Sequence, residues 1–426
     1  MTGPLAANGA HLHPLVSAGL ACRFCAAPLR ETFADLGMTP LCQKHVKPSQ
    51  LNDAETYYPL HAFVCTSCWL VQLGEYATPD EIFAQEYAYF SSYSDTWLAH
   101  ARAYTDKMRG ELGLDGNSLV VEIASNDGYL LQYFVGAGVP VLGVEPAANV
   151  AEAARARGVR TEVRFFGTES AAALRGQYGG ADLLLGNNVL AHVPDLNDFV
   201  GGMKVMLAPG GVITMEFPHL MRLVERNQFD TIYHEHFSYF SFTTVERVFA
   251  HHGITLFDVE ELPTHGGSLR IYGRHTDGAP VNARVHSLKA REDAWGVAST
   301  ARYRAFDEQV KTTKRNILSF LIEARAAGKR IAGYGAPGKG NTLLNYCGIG
   351  TDFLDFTVDR SPHKQNTFTP GMHIPIYAPE HIREARPDYL FILPWNLKDE
   401  IMQQTSYIRE WGGRWVVPIP EVSIHE

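Results

Sequence analysis

LVVEIASNDGYLLQYFVGAGVPVLGVEPAANVAEAARARG, residues 119–158, decides the architecture. LVVEIA reads as a strand, SNDG as a turn and YLLQYFVGAG as a helix; VPVLGVE is a second strand, and a second helix follows it. Apolar runs of strand length alternating with helical patterns predict a βαβ unit of a parallel sheet. The turn Ser125-Asn126-Asp127-Gly128 lacks the G-x-G-x-x-G glycines that seat a pyrophosphate on a helix N-terminus. Glu122 stands in the first strand, and Gly128 offers a place where backbone approaches a ligand closely. Glu145 follows Gly128 by 17 residues, at the end of the second strand, where a carboxylate accepts hydrogen bonds from ribose hydroxyls. A ligand with a ribose and no pyrophosphate fits, and S-adenosylmethionine is such a ligand. The competing reading is an ordinary Rossmann-like turn with Glu145 as a solvated strand end.

Outward from this unit, residues 181–220 read ADLLLGNNVLAHVPDLNDFVGGMKVMLAPGGVITMEFPHL. ADLLLGNN is a buried strand whose end, Asn187 and Asn188, faces the ligand crevice by the rule for open α/β sheets. A loop with His192, a helix, a Pro-Gly-Gly turn and the strand GVITMEFP complete the pattern. With EIASNDG and Glu145, residues 115–220 resemble the class I S-adenosylmethionine methyltransferases.

The six cysteines are Cys22, Cys25, Cys42, Cys65, Cys68 and Cys347. Four of them form two C-x-x-C knuckles, CRFC and CTSC, separated by 39 residues. Two matched knuckles supply four thiolates to a tetrahedral ion, so Cys22, Cys25, Cys65 and Cys68 are the expected structural zinc ligands. Cys42 and His45 compete from inside the gap, where something must fold; a redox C-x-x-C is the other reading. A closed four-sulfur site leaves no position for substrate, so such a zinc says little about chemistry.

Hydrophobic residues form 46% and charged residues 19% of the 426, an ordinary globular mix that excludes a disordered or collagen-like chain. A net charge of −9 argues against tracking the phosphates of a nucleic acid. No stretch approaches the roughly 20 apolar residues of a membrane span. The start MTGPLAANGAHLHPLV lacks a secretory pattern. These features point to the cytoplasm, where thiols stay reduced.

Residues 229–241, FDTIYHEHFSYFS, place Tyr233, His234, Glu235 and His236 in a row. Imidazole and phenol suit proton transfer near neutral pH, whereas a solvent-facing turn is the bland reading. Further on, RIAGYGAPGKGNTLLNYCGI (330–349) is a strand, a Gly-rich turn and a helix opening near Asn341. Such a turn presents N–H groups to a phosphate, with Lys339 adding charge, although it is no P-loop and a tight strand-to-helix connection is the alternative. DFTVDRSPHKQNTFTPGMHIPI and YLFILPWN extend this second α/β unit.

The ordered string of paired C-x-x-C, EIASNDG, GNNVLAHVPD, YHEHFSYFS, HGGSLR, YGAPGKGNTLLN and DRSPHKQNTFTPGMHIP resembles one family over nearly the whole chain. It is similar to the S-adenosylmethionine-dependent sugar C-methyltransferases of deoxysugar biosynthesis, in particular those that methylate C-3′ of dTDP-linked 4-keto sugars for natural products. The resemblance implies an α/β protein of three parts. These are a zinc-binding domain (1–78), a class I methyltransferase domain (79–279) and a Rossmann-like C-terminal domain that binds the nucleotide sugar (280–426). It implies His236 as the base, with Tyr233 as competitor and as donor to the developing oxyanion. Glu235 orients a His or binds a sugar group, and His192 and Tyr87 supply further hydrogen bonds. Glu122, Ser125, Asn126, Asp127, Gly128, Glu145, Asn187 and Asn188 hold the cofactor, and Tyr334, Lys339, Asp359 and Lys364 the diphosphate sugar. A monomer is compatible with this reading. The rivals are an O- or N-methyltransferase on a nucleotide sugar, an NAD-dependent sugar-nucleotide oxidoreductase, and a non-catalytic zinc and nucleotide-binding module.

Overall fold

The computed structural model describes residues 19–77, 90–276 and 280–426. Its frame is three sheets. The N-terminal sheet is built from β1 (Glu31–Thr39), β2 (Tyr58–Val64) and β3 (Val71–Leu73), all antiparallel. The central sheet takes β4 (Val120–Ile123), β5 (Val141–Val144), β6 (Thr161–Glu162), β7 (Ala181–Asn187) and β8 (Leu207–Pro218) as a parallel set. After β9 (Ser238–Tyr239) come β10 (Ile254–Leu262) and β11 (Ser268–His275), which close the central sheet with antiparallel pairings in the order β10-β11-β8-β7-β4-β5-β6. Strands β4, β5 and β7 are buried on both faces, which explains why they read as unbroken apolar runs.

β9 does not join the central sheet. Ser238 and Tyr239 pair with Gln72 and Val71 of β3, so the N-terminal sheet, β1-β2-β3-β9, ends in a strand supplied from the middle of the chain. The expected Pro-Gly-Gly turn at 209–211 is instead a bulge within β8, where the register against β7 slips between Ala181 and Leu183. Gly210 has φ +79°, and a Cβ on Gly211 would lie 2.5 Å from the Ala181 carbonyl oxygen, so the strand continues only because both are glycine.

The C-terminal sheet is a second parallel-centred array of β12 (Ile331–Tyr334), β13 (Thr357–Val358), β14 (Thr367–Phe368), β15 (Pro375–Tyr377), β16 (Tyr389–Ile392), β17 (Arg414–Val417) and β18 (Ser423–His425). Its order is β14-β15-β13-β12-β16-β17-β18. The helix after β12 runs Gly338–Cys347, opening three residues before Asn341, so Lys339 lies in its first turn.

Two helices tie the units together. Thr300–Ala326 lies against β1, with Phe306 stacked on Phe33 at 4.7 Å between ring centres. Ala283–Trp295, which a boundary at 280 assigns to the C-terminal unit, sends Val285 and Leu288 into the core of the central unit. Its Glu292 is fully buried and accepts from Phe242 N (2.7 Å), Thr243 N (2.8 Å), Thr243 Oγ1 (2.6 Å) and His219 Nε2 (2.7 Å). The carboxylate therefore caps helix Phe242–His251 from another element. Burial raises its pKa, but these donors outweigh burial and hold it below the usual range. A carboxyl depressed in the folded state stabilises the fold above its unfolded pKa and loses that contribution as pH falls through the folded one. Glu292→Ala strands a buried imidazole and two N–H groups, so it is expected to cost roughly 3–5 kcal/mol at neutral pH. Urea unfolding should show a lower midpoint, with the gap to the parent narrowing in acid.

Candidate active site and zinc centre

Each knuckle leaves a strand or turn and returns its sulfurs to one point. Cys22 Sγ and Cys68 Sγ are 3.5 Å apart, Cys25 Sγ and Cys65 Sγ 3.6 Å, and all four sulfurs lie within 4.8 Å of one another. Zinc–sulfur bonds of about 2.3 Å at tetrahedral angles space sulfurs by about 3.8 Å, so the set fits a zinc ion. Gln72 Nε2 donates to Cys22 Sγ at 3.1 Å, the outer support a thiolate ligand needs. Cys42 and His45 lie apart from this cluster. The segment that fills the 39-residue gap is β1, β2 and a loop, 40–57, that reaches the C-terminal unit. Val46 and Phe368 exchange backbone hydrogen bonds of 2.9 and 2.8 Å, and the Cys42 carbonyl accepts from Asn341 Nδ2 at 2.6 Å.

All three units meet at a cleft of about 690 Å³. At its central-sheet end the strand tips of β4, β5 and β7 present Ala124, Asn126, Glu145, Asn187 and Asn188, as strand ends of an open α/β sheet should. Glu145 takes one backbone N–H on each oxygen, Asn126 N at 3.0 Å and Ala147 N at 2.9 Å. Burial pushes its carboxyl up and these two donors oppose that. The outer lone pairs remain for the two hydroxyls of a ribose, and Phe165 and Phe166 line the cleft nearby, so these residues suit S-adenosylmethionine.

The other residues of the SNDG turn do not line the cleft. Asp127 pairs with Arg157 at 2.8 Å and accepts from Ser92 Oγ, while Asn126 Oδ1 accepts from Ser91 N at 2.8 Å; together they hold residues 91–92 over the site. Gly128 has φ +75°, and a Cβ there would meet Val159 at 3.0 Å and Ala154 at 3.3 Å. Its freedom serves packing on helix Ala148–Ala156 rather than approach to a ligand. A Cβ on Gly143 would press on Ser125 Oγ, which places that side chain between strands. Glu122 is fully buried, and desolvation holds its carboxyl well above the usual range.

The YHEH segment forms the middle of the cleft. Tyr233, Glu235, His236 and His192 line it, and Tyr87 lies outside the described residues. His236 Nδ1 hydrogen-bonds the Thr231 carbonyl at 2.9 Å; a carbonyl only accepts, so Nδ1 carries the proton and Nε2 keeps its lone pair. The His236 ring lies 4.0 Å from Tyr233 and 4.7 Å from His192, centre to centre. Burial pushes His236 well below the ordinary imidazole range, and His192 down to about 4. Glu235 is pushed up to about 7 by burial, opposed by the Cys42 thiol at 3.7 Å and by Lys364. His234 turns away to the Pro59 carbonyl at 3.2 Å.

The C-terminal unit closes the cleft with Pro337, Gly338, Lys339, Lys364, Pro394, Asn396 and Leu397. Lys339 Nζ donates to Asn396 Oδ1 at 2.8 Å and lies 4.7 Å above the Trp395 ring. Asp230 accepts from Trp395 Nε1 at 2.7 Å and is raised to about 6 by burial, with Lys339 opposing. Asp359 stands behind this wall: it accepts from Ala336 N and Ser361 N, each at 2.8 Å, and lies 3.7 Å from Lys364. The Tyr334 hydroxyl donates to Gln404 at 3.3 Å, off the cleft. Lys339 and Lys364 are thus the two of the four expected diphosphate contacts that line the cleft.

Among the lining residues that sequence reasoning missed, three stand out for what they carry or lack. Gln43 comes from the zinc-domain loop and Trp97 from helix Asp95–Leu112, and neither carries a local signal. His265 does carry one, a non-glycine residue ahead of Gly266-Gly267 in a tight turn.

Comparison with known proteins matches residues 22–83 to the profile of a zinc binding domain and 98–259 to that of a methyltransferase domain. Residues 263–420 match the profile of a C-methyltransferase C-terminal domain. The C-methyltransferase NovU of Streptomyces niveus is 37% identical over 401 residues, which is 94% of this chain and 95% of that one. A methyltransferase structure from Anabaena variabilis covers 48% of this chain and 99% of its own, at 15% identity and a TM-score of 0.35. The magnesium protoporphyrin IX methyltransferase of Synechocystis PCC 6803, with bound SAH, covers 42% and 81% at 14% identity and a TM-score of 0.32. Among the described residues no helix is long and apolar enough to cross a membrane.

Proposed function

This chain belongs to the family of S-adenosylmethionine-dependent C-methyltransferases with a zinc-binding N-terminal domain, and on that premise we propose that it methylates C-3′ of a dTDP-linked 4-keto deoxysugar in the cytoplasm. A saturated sugar carbon is no nucleophile. It becomes one when a neighbouring ketone takes up its electron pair as an enolate. The chain must therefore supply a base, a donor to the enolate oxygen, and exclusion of water. The observation that carries the reading is His236, whose Nδ1 is held by the Thr231 carbonyl so that Nε2 keeps its lone pair, lining one cleft with Glu145 and Lys339.

S-adenosylmethionine supplies the electrophilic methyl group when bound. Glu145, Asn126 and Asn187 hold it at the strand tips, and His236 takes the proton on Nε2 while its Nδ1–H stays on Thr231. Tyr233, in ring contact with His236, donates to the oxygen, and Glu235 and His192 orient the sugar. Lys339 and Lys364, beside the N-terminus of helix Gly338–Cys347, hold the diphosphate. Domains 1–78, 79–279 and 280–426 thus contribute a wall, a methyl donor site and a nucleotide-sugar site. The test is incubation with a dTDP-4-keto-6-deoxysugar and methyl-labelled cofactor. A carbon–carbon coupling from the new methyl to C-3′ is expected in NMR. A methyl on oxygen or nitrogen, or none, overturns the reading.

A further inference from the structure

The HGGS turn carries a side chain that the mechanism above leaves unused. His265 has φ +51° and ψ +26°, a left-handed conformation uncommon for a residue with a Cβ. The surroundings hold it there. A Cβ on Gly266 would run into Gln228 at 2.5 Å and Trp395 at 2.7 Å. The Gly266 carbonyl accepts from Gln228 Nε2 at 2.8 Å and Arg226 Nη1 at 2.9 Å, and Thr264 Oγ1 donates to Glu216 at 2.8 Å.

The ring is fixed as firmly as the backbone. Trp97 meets it edge-on at 5.2 Å. Asn188, itself left-handed at φ +55°, donates from Nδ2 to His265 Nε2 at 3.0 Å. An amide nitrogen only donates, so Nε2 accepts and the proton of the neutral ring sits on Nδ1. Nδ1 has no protein partner among the described residues, and the ring lines the cleft. Two left-handed residues bonded to each other thus leave the Nδ1–H on a ring that lines the same cleft as Asn187, Asn188 and Lys339. His236 lines the same cleft. Burial, with Lys339 nearby, pushes His265 down to about 4, so the ring stays a neutral donor throughout the working range.

We propose that His265 is a catalytic residue whose Nδ1–H donates to the substrate carbonyl oxygen as that oxygen takes on enolate charge. The inference rests on the keto-sugar reading above. A preorganised donor aimed at developing charge is worth about 10²–10³-fold in rate.

Two variants keep the fold. Glycine adopts the left-handed turn freely, and asparagine favours it among residues with a side chain. His265→Gly deletes the donor, while His265→Asn returns an amide N–H near the Nδ1 position. Two rates are read: solvent-deuterium exchange at the sugar carbon with S-adenosylhomocysteine in place of the methyl donor, and methyl transfer. In His265→Gly both should fall by about 10²-fold, with S-adenosylhomocysteine affinity within a few-fold of the parent, and His265→Asn should recover part of the loss in both. Normal exchange in His265→Gly, loss confined to KM for the keto sugar, or loss of S-adenosylhomocysteine binding overturns the proposal while leaving the keto-sugar reading intact. Absence of exchange in the parent overturns that reading and this proposal with it.

Discussion

Replacing His236 with Asn is expected to slow exchange of the sugar proton by about 10²- to 10⁴-fold, the usual worth of a positioned base. The expectation rests on the tautomer: the Thr231 carbonyl holds the Nδ1 proton, so Nε2 is the basic atom of a ring that lines the cleft. Tyr233→Phe keeps that atom and should fall less in exchange. If both variants exchange at the parent rate, neither residue is the base. The pH dependence follows from the depressed pKa. A base works when neutral, so the rate should stay level as pH falls through 6.5, with its acid limb below the ordinary imidazole range. Stability moves the other way. The unfolded imidazole takes a proton near 6.5 and the folded one does not, so acid below that point favours the unfolded chain. His192 and His265 act in the same sense, and a falling Tm between pH 7 and 5 should be smaller in His236→Asn.

The parallel core of the central unit is legible in residues 119–187 because strands buried on both faces must be continuously apolar, and helices between them must not be. The zinc ligands are legible because two matched knuckles leave a metal little choice of partners. What the residues cannot announce is a contact made by tertiary structure alone. β9 is two residues long, too short for any periodic signal, yet it decides where the YHEH segment sits. Gly128 invites a ligand on paper, and its position is taken by Val159 and Ala154. His265 stands ahead of two glycines in HGGSLR, a signal of a tight turn, but the strain that sets it apart is a backbone angle that only the fold around Gly266 imposes.

β9 also changes what the zinc means. Four thiolates in a closed set do no chemistry on a substrate, and the sequence gives the ion no tie to the reaction. In the fold, the sheet that the knuckles anchor holds the proposed catalytic segment along its length. Tyr239 and Ser238 pair with β3, Leu73 N donates to the Phe237 carbonyl at 3.0 Å, His234 bonds the Pro59 carbonyl, and Glu235 bonds Cys42. Glu145 and the strand tips belong to the other sheet. Zinc binding contributes about 10 kcal/mol or more to folding such a unit. Removing the ion with a chelator, or one ligand with Cys68→Ser, is therefore expected to separate two functions. S-adenosylhomocysteine should bind within a few-fold of its normal Kd, while proton exchange and methyl transfer fall by about 10²-fold or more, since a displacement of about 1 Å costs that much in an oriented site. Zinc returned to the chelated protein should restore both rates. A metal-free protein with full turnover would mean that the central unit holds Tyr233 to His236 unaided, through Phe237 N on the Ala191 carbonyl at 2.7 Å and the turn at Thr231.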